Sequence, residues 1–227
     1  MMSISPLFLS LKVAAIATII VFISGTLAAR LISRKIFPGK SLLESLFLLP
    51  LVLPPTVIGF CLLYAFGRNG WAGRILMHWF DLQVVFSWTG AVIASAVVSF
   101  PLMYQSAAAA FQNYDTQLEN AAHNLGASRG KVFFTIALPL AWPGLLAGLV
   151  MAFARSLGEF GATLMVAGYI PGETDTIPLA IYFAVESGRM EEALLWVLTI
   201  IALGFSAVYW LQTWSRRKIN FFRHHSS

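Results

Sequence analysis

The sequence predicts an all-α membrane protein with five transmembrane helices and short helices on its cytoplasmic side. Three observations carry that prediction. The 227 residues are 58% hydrophobic and 11% charged, far below the charged quarter of a soluble domain. The apolar residues gather into five uncharged runs, 13–29, 45–65, 84–110, 140–154 and 193–214, most of them near the 20 residues a helix needs to cross a bilayer. The charges sit in the loops between the runs, and no period-two alternation long enough for a barrel appears.

The first run extends to Leu7 if Lys12 snorkels. Arg30, Arg34, Lys35 and Lys40 follow it at once, which reads as the flank of a retained span rather than a cleaved signal. The second run carries Pro50, Pro54 and Pro55; prolines remove backbone donors and bend helices, so this span is either broken along a path or kinked for packing. Gly59 allows a close neighbour. Cys61 lies in the same run and reads as a small core residue. Segment 160–185 is interrupted by Gly161, Gly168, Pro171, Gly172, Glu173, Asp175 and Pro178, and no piece of it is long enough to span. It reads as an outer segment, partly re-entrant, closing over a pathway.

Charge chooses the orientation. Arg30, Arg34, Lys35 and Lys40 follow span one, Arg129 and Lys131 follow span three, and Arg216, Arg217, Lys218 and Arg223 follow span five. The opposing loops hold Arg68 and Arg74, then Arg189 among Glu173, Asp175, Glu186, Glu191 and Glu192. The positive-inside rule puts the N-terminus outside and the C-terminus in the cytoplasm. The net charge of +5 belongs to this membrane pattern and does not call for nucleic acid. His78, His123, His224 and His225 lack metal-ligand spacing. Gly39-Lys40-Ser41 ends like a phosphate loop, but Arg34 stands where the earlier glycine is required. No nucleophile elbow or zinc helix appears, so uphill movement of a cargo needs a separate ATPase.

The polar island 115–139 lies within this single domain, 1–227. Leu118, Ala121, Ala122 and Leu125 share one helical face, with Glu119, Asn120, His123 and Asn124 on the other. Thr116 and Glu119 have capping-box spacing, Gly126 suits a left-handed helix stop, Ser128 suits the cap of a second helix, and Pro139 is expected to end it. Past it, Arg155 and Glu159 stand four apart, so they pair on one helix face. Arg155 is 16 residues beyond Pro139, about 24 Å of helix, which places it deep, toward the outer boundary. A charge at that depth is paired or faces a cavity: a gate on an anion path, or an ion pair that sets helix depth.

Asn120-Ala121-Ala122, three residues, Gly126, then Ile136-Ala137-Leu138-Pro139 resembles the EAA loop of permease subunits of bacterial ABC importers, with Asn at 120 where the family has Glu and an acid beside it at 119. FPGKSLLESLFLLPLVLPPTVIGF, the SFPL at 99–102, FFTIALPLAWPGLLAG and FARSLGEFGAT are similar to the molybdate importer permeases and cover most of 37–165; sulfate/thiosulfate and tungstate permeases share much of the pattern. The resemblance implies a type I ABC importer permease fold in the bacterial inner membrane. It implies a homodimer with the path at its two-fold interface, a pair of ATP-binding subunits inside, and a periplasmic oxyanion-binding protein outside. It also implies that ATP is bound by the partner and that this chain is no enzyme and carries no cofactor. Glu119, Ala121, Ala122, Leu125 and Gly126 are then expected to dock the ATPase, and Arg155, Glu159, Pro54 and Pro55 to line or gate the path. A secondary transporter driven by an ion gradient is the rival class; nearly charge-free spans in odd number argue against it, as they do against a membrane-embedded enzyme. A scaffold without transport remains the third class.

Overall fold

The computed structural model describes residues 4–223, with the backbone alone for 211, 212 and 214–223; His224 and His225 lie outside the described residues. The chain runs through α1 (Ser5–Ile32), α2 (Lys40–Val52), α3 (Pro55–Phe66), α4 (Trp71–Phe80), α5 (Trp88–Gln112), α6 (Gln117–Asn124), α7 (Arg129–Val132), a π-helical turn (Phe133–Ala137), α8 (Leu138–Leu157), α9 (Gly161–Ala167), α10 (Ile177–Glu186) and α11 (Met190–Arg223). No strand occurs among the described residues.

Helices α1, α5 and α8 form the core. The Lys12 ammonium lies 3.6 Å from the Trp88 ring centroid at one end of the α1–α5 pair, and Gln112 donates to the Ser33 carbonyl at the other. The two helices are therefore antiparallel. Val21, Ala29, Met103, Ala107, Phe111, Ala141 and Leu145 fill the shared interior. In an apolar solvent the hydrophobic effect does not hold spans together, so close backbone approach has to. A Cβ on Gly25 would stand 2.9 Å from Met103 Cγ, one on Gly148 2.8 Å from Ser106 Cβ, and one on Gly144 2.6 Å from Ala110 Cβ. The outward faces keep large apolar side chains, such as Ile19, Ile23 and Leu27 on α1 and Leu198, Ile201 and Phe205 on α11.

Among the described residues, four helical stretches are long and apolar enough to cross a membrane: Ser5–Ile32, Trp88–Gln112, Arg129–Leu157 and Met190–Trp210. The expected second span is broken: α2 and α3 meet at 113°. Pro54 and Pro55 explain the break, since neither has an N–H to continue the ladder and each restricts the residue before it. The broken pair nonetheless crosses. The chain leaves α1 at its Ser33 end and enters α5 at the opposite, Lys12–Trp88 end, so α2 and α3 must carry it over. Counted this way there are five spans among the described residues. Cys61, expected in a core, is exposed on α3.

The fourth span departs further from expectation. Pro139 does not end a helix. Residues 129–157 run on through it, because the Leu138 N–H reaches back five residues to the Phe133 carbonyl; this wider turn takes up the bond and the space that proline denies an α-helix. At its other end α8 stops early. Ser156 donates to Ser99 at 3.1 Å, and Ser99 lies near the middle of the 25-residue α5. The crossing is completed by α9: the Phe86 N–H bonds the Val166 carbonyl, and a Cβ on Gly90 would stand 3.0 Å from Val166 Cγ1. The segment expected outside thus contains the far half of a second broken span. Beyond it, Ser5 donates to Asp175 and the Ile177 N–H to Ser10 Oγ, which ties the far-side loop and α10 to the start of α1.

Leucine at Gly148 drives a branched side chain into Ser106 and Met103, at a cost of about 1–3 kcal/mol. Thermal unfolding in detergent should show a clear fall in midpoint for Gly148→Leu and none for Gly204→Leu, whose Cβ would meet nothing within 4 Å.

Candidate functional site

Two separate regions hold the candidate residues. The first is the level at which both broken spans break. Ile58 and Leu53, on either side of the first break, pack with Val97, Val98 and Ala162, at the depth where α8 ends on Ser99. A Cβ on Gly161 would stand 3.0 Å from Pro55 Cβ and 3.6 Å from the Thr56 nitrogen, so the two breaks touch. Pro54, Pro55, Arg155 and Glu159, far apart in sequence, are brought to one place.

Arg155 and Glu159 form the expected pair, Nη1 to Oε2 at 2.8 Å, with side chains 31% and 1% exposed. Pair and breaks lie level with the middle of α5, because α8 draws level with the end of α5 only at Gly144, beside Ala110, and reaches Ser99 at Ser156. Glu159 also serves the helix that follows. Its Oε1 accepts the Ala162 N–H at 2.8 Å, which satisfies the first turn of α9. Phe160 packs its ring 5.2 Å from Tyr182 of α10. The carboxylate is therefore fixed and buried, while the guanidinium lies partly open on the surface of the chain, level with the middle of α5; within a bilayer lipid cannot solvate a charge. Such a group faces water or another protein surface.

The second region is the polar island. α6 ends as expected: Gly126 has φ +85°, the Ala127 N–H reaches the Ala122 carbonyl and the Gly126 N–H the His123 carbonyl, a Schellman close. Ser128 caps α7 by accepting from the Lys131 N–H. The capping box does not form. Thr116 makes no side-chain cap bond; Asp115 accepts from the Gln117 N–H instead, and Glu119 is turned away.

Glu119 is the one buried residue of α6. Arg30 grips its carboxylate with both nitrogens, at 3.0 and 2.7 Å, and Arg34 adds a bond at 3.1 Å. The Tyr114 hydroxyl donates to the same carboxylate, and Arg34 also bonds the Tyr114 carbonyl. Hydrogen bonds from Arg30 outweigh desolvation and hold the Glu119 carboxyl below its usual range. Burial, then the bond to Glu119, pushes the Tyr114 phenol up to about 12, so it stays protonated as a donor. Opposite this cluster, Leu125 is 89% and Leu118 49% exposed, Ala121 is exposed and Ala122 partly so. α6 thus points its charge inward and its apolar face out, the reverse of a helix packed on its own protein. Glu119, expected with the docking residues, is not on the outward face. Arg30, Arg34 and Tyr114 were not foreseen; the signal was the spacing of Arg30 and Arg34, one face of a helix end, with Glu119 opposite the apolar stripe.

Comparison with known proteins identifies the family. A molybdenum transport system permease protein, ModB, of Haemophilus influenzae is 52% identical over 191 residues, 84% of this chain and 83% of that protein. Its namesake in Escherichia coli K12 is 48% identical over 214 residues, 92% and 93%. A sulfate transport system permease protein, CysW, of Synechococcus elongatus is 41% identical over 155 residues, 68% of this chain and 54% of that one. Among solved structures, a bacterial ABC transporter that imports alginate superimposes with a TM-score of 0.74 at 18% identity, over 94% of this chain and 79% of that one. The MetNI methionine ABC transporter in an inward-facing form gives 0.68 at 14%, over 93% and 94%. These two share the fold: the architecture is that of the ABC importer permeases. Residues 22–221 match the family described as the binding-protein-dependent transport system inner membrane component, and the chain belongs to that family.

Proposed function

We propose that this chain is the membrane permease of a molybdate importer, that two copies enclose the path, and that a separate ATP-hydrolysing pair drives it from the basic, cytoplasmic end. One observation carries the reading: a guanidinium partly open beside the place where two helix breaks touch, level with the middle of the membrane-length α5. Such a group is out of place against lipid, and in its place against a second protomer with an anion path between them. Arginine suits a tetrahedral oxyanion because its planar fork donates more than one hydrogen bond. Glu159, fixed 2.8 Å away, keeps the site from holding an anion so firmly that passage stops. The relatives named for molybdenum span nine-tenths or more of shared length in one case, whereas the sulfate permease is spanned over about half; this supports molybdate over sulfate.

The same geometry supports an orientation with the N-terminus outside and the C-terminus inside: Arg30, Arg34 and α6 occupy one end, and Glu173, Asp175 and the start of α1 the other, the pattern of the positive-inside rule. A periplasmic oxyanion-binding protein would deliver its cargo to the acidic end. The ATPase pair would close on ATP, draw the two α6 helices together and turn the spans from inward- to outward-facing. Ala121, Ala122, Leu125 and the Gly126 turn form the docking face, with Leu118 beside them. Binding comes from burying their apolar surface.

Two measurements test this reading on the complete transporter in proteoliposomes. Arg155→Ala should lower labelled molybdate uptake about tenfold or more, the loss of a charge-assisted hydrogen bond, while the ATPase still co-purifies; unchanged uptake removes Arg155 from the path. Leu125→Asp should abolish ATPase co-purification, and a bound ATPase would refute the docking face. Excess sulfate or tungstate that suppresses uptake as well as unlabelled molybdate does would reassign the cargo.

A further inference from the structure

α6 is held at two places. One is its C-terminal connection, Gly126 with its left-handed backbone, then α7 and the π-helical turn into α8. The other is Glu119, which reaches across to Arg30 and Arg34 at the end of α1. No other side chain of α6 is buried. Mechanically the two attachments differ. A helix joined only through a glycine turn and the short stretch 113–116 pivots when pushed, and the push is lost as rotation. A helix pinned at a second point moves what it is pinned to.

What it is pinned to is stiff. Arg30 stands within the last turn of α1, one residue past the fully buried Ala29, and its guanidinium lies 5.7 Å from the Phe111 ring centroid and 5.8 Å from that of Phe133. α1 in turn meets α5 at Gly25, with no room for a Cβ beside Met103. Movement delivered to Arg30 therefore reaches the whole length of the α1–α5 pair, and with it Ser99 at the level of the breaks.

We propose that Arg30, Arg34, Tyr114 and Glu119 form the joint through which displacement of α6 is passed into α1, making Glu119 and Arg30 positioning residues for transport that touch neither the ATPase nor the cargo. This rests on the reading of α6 as the docking helix. The bidentate Arg30–Glu119 contact suits such a joint, because two parallel bonds fix orientation as well as distance, and four further hydrogen bonds from Arg30, Arg34 and Tyr114 close the cluster.

The test separates grip from drive. In proteoliposomes with the ATPase and binding protein, Glu119→Gln should leave ATPase co-purification and ATP hydrolysis within about twofold of the parent, and lower molybdate moved per ATP hydrolysed on the order of tenfold. Glu119→Asp, which keeps the charge, should recover part of that ratio. A parental ratio in Glu119→Gln overturns the joint. Loss of ATPase co-purification in Glu119→Gln also overturns it, since the carboxylate would then serve docking itself. If Glu119→Gln fails to accumulate in the membrane, Arg34→Ala, which removes one of the arginines, must still lower the ratio, and an unaltered ratio overturns the proposal. Leu125→Asp run alongside keeps the two readings apart: a bound ATPase there defeats the docking face, whatever the Glu119 variants show.

Discussion

A bilayer offers no hydrogen-bond partner, so every backbone group left open within it must be met by the protein or by water that the protein admits. This chain interrupts two spans at the same depth, and the rest of its structure answers that constraint. The prolines at the first break reduce the problem at its source, because Pro54 and Pro55 have no N–H to satisfy. Of the donors that follow, Val57 and Ile58 turn back to the Pro54 carbonyl. At the second break a carboxylate meets the need: Glu159 takes the Ala162 N–H. Its own charge, costly when buried, is answered by Arg155 from one turn earlier on α8. The pair that looks like a functional device is therefore also what permits the helix to stop there.

The local chemistry was legible in the residues. Apolar runs located the spans, basic residues marked one end, and Gly126 and Ser128 closed and opened their helices, because each signal is contained within a few residues of chain. What lay hidden depended on packing between distant segments. Run 140–154 is short of the length a crossing needs, and the missing half was supplied by 161–167, too brief to register as a span. The count of rise from Pro139 to Arg155 took Pro139 as the start of the crossing, whereas α8 draws level with the end of α5 only at Gly144, beside Ala110. Thr116 and Glu119 had the right spacing for a capping box, but a carboxylate within reach of two arginines gains more from them than from one backbone N–H.

The inward turn of Glu119 bears on the departure at position 120. In the EAA pattern an acid is expected there; here Asn120 is exposed, and the neighbouring acid spends its charge inside the chain. The outward face of α6 is left with Leu118, Ala121 and Leu125, which carry no charge. Attachment to another protein through that face must come from apolar burial, which tolerates salt and supplies little direction. Direction has to come from elsewhere, and the two attachments of α6 supply it. One leads through a continuous helical stretch, 129–157, straight to Arg155. The other leads through α1 and α5 to Ser99, the residue that receives the Ser156 bond at the end of α8. Both routes from the loop converge on the level of the breaks, one from each side. A displacement that moved α8 against α1 would shear that level, whereas one that moved them together would carry it whole. An adhesive apolar face joined to a rigid ionic joint favours the second, which is the behaviour required of spans that rock as blocks between two openings.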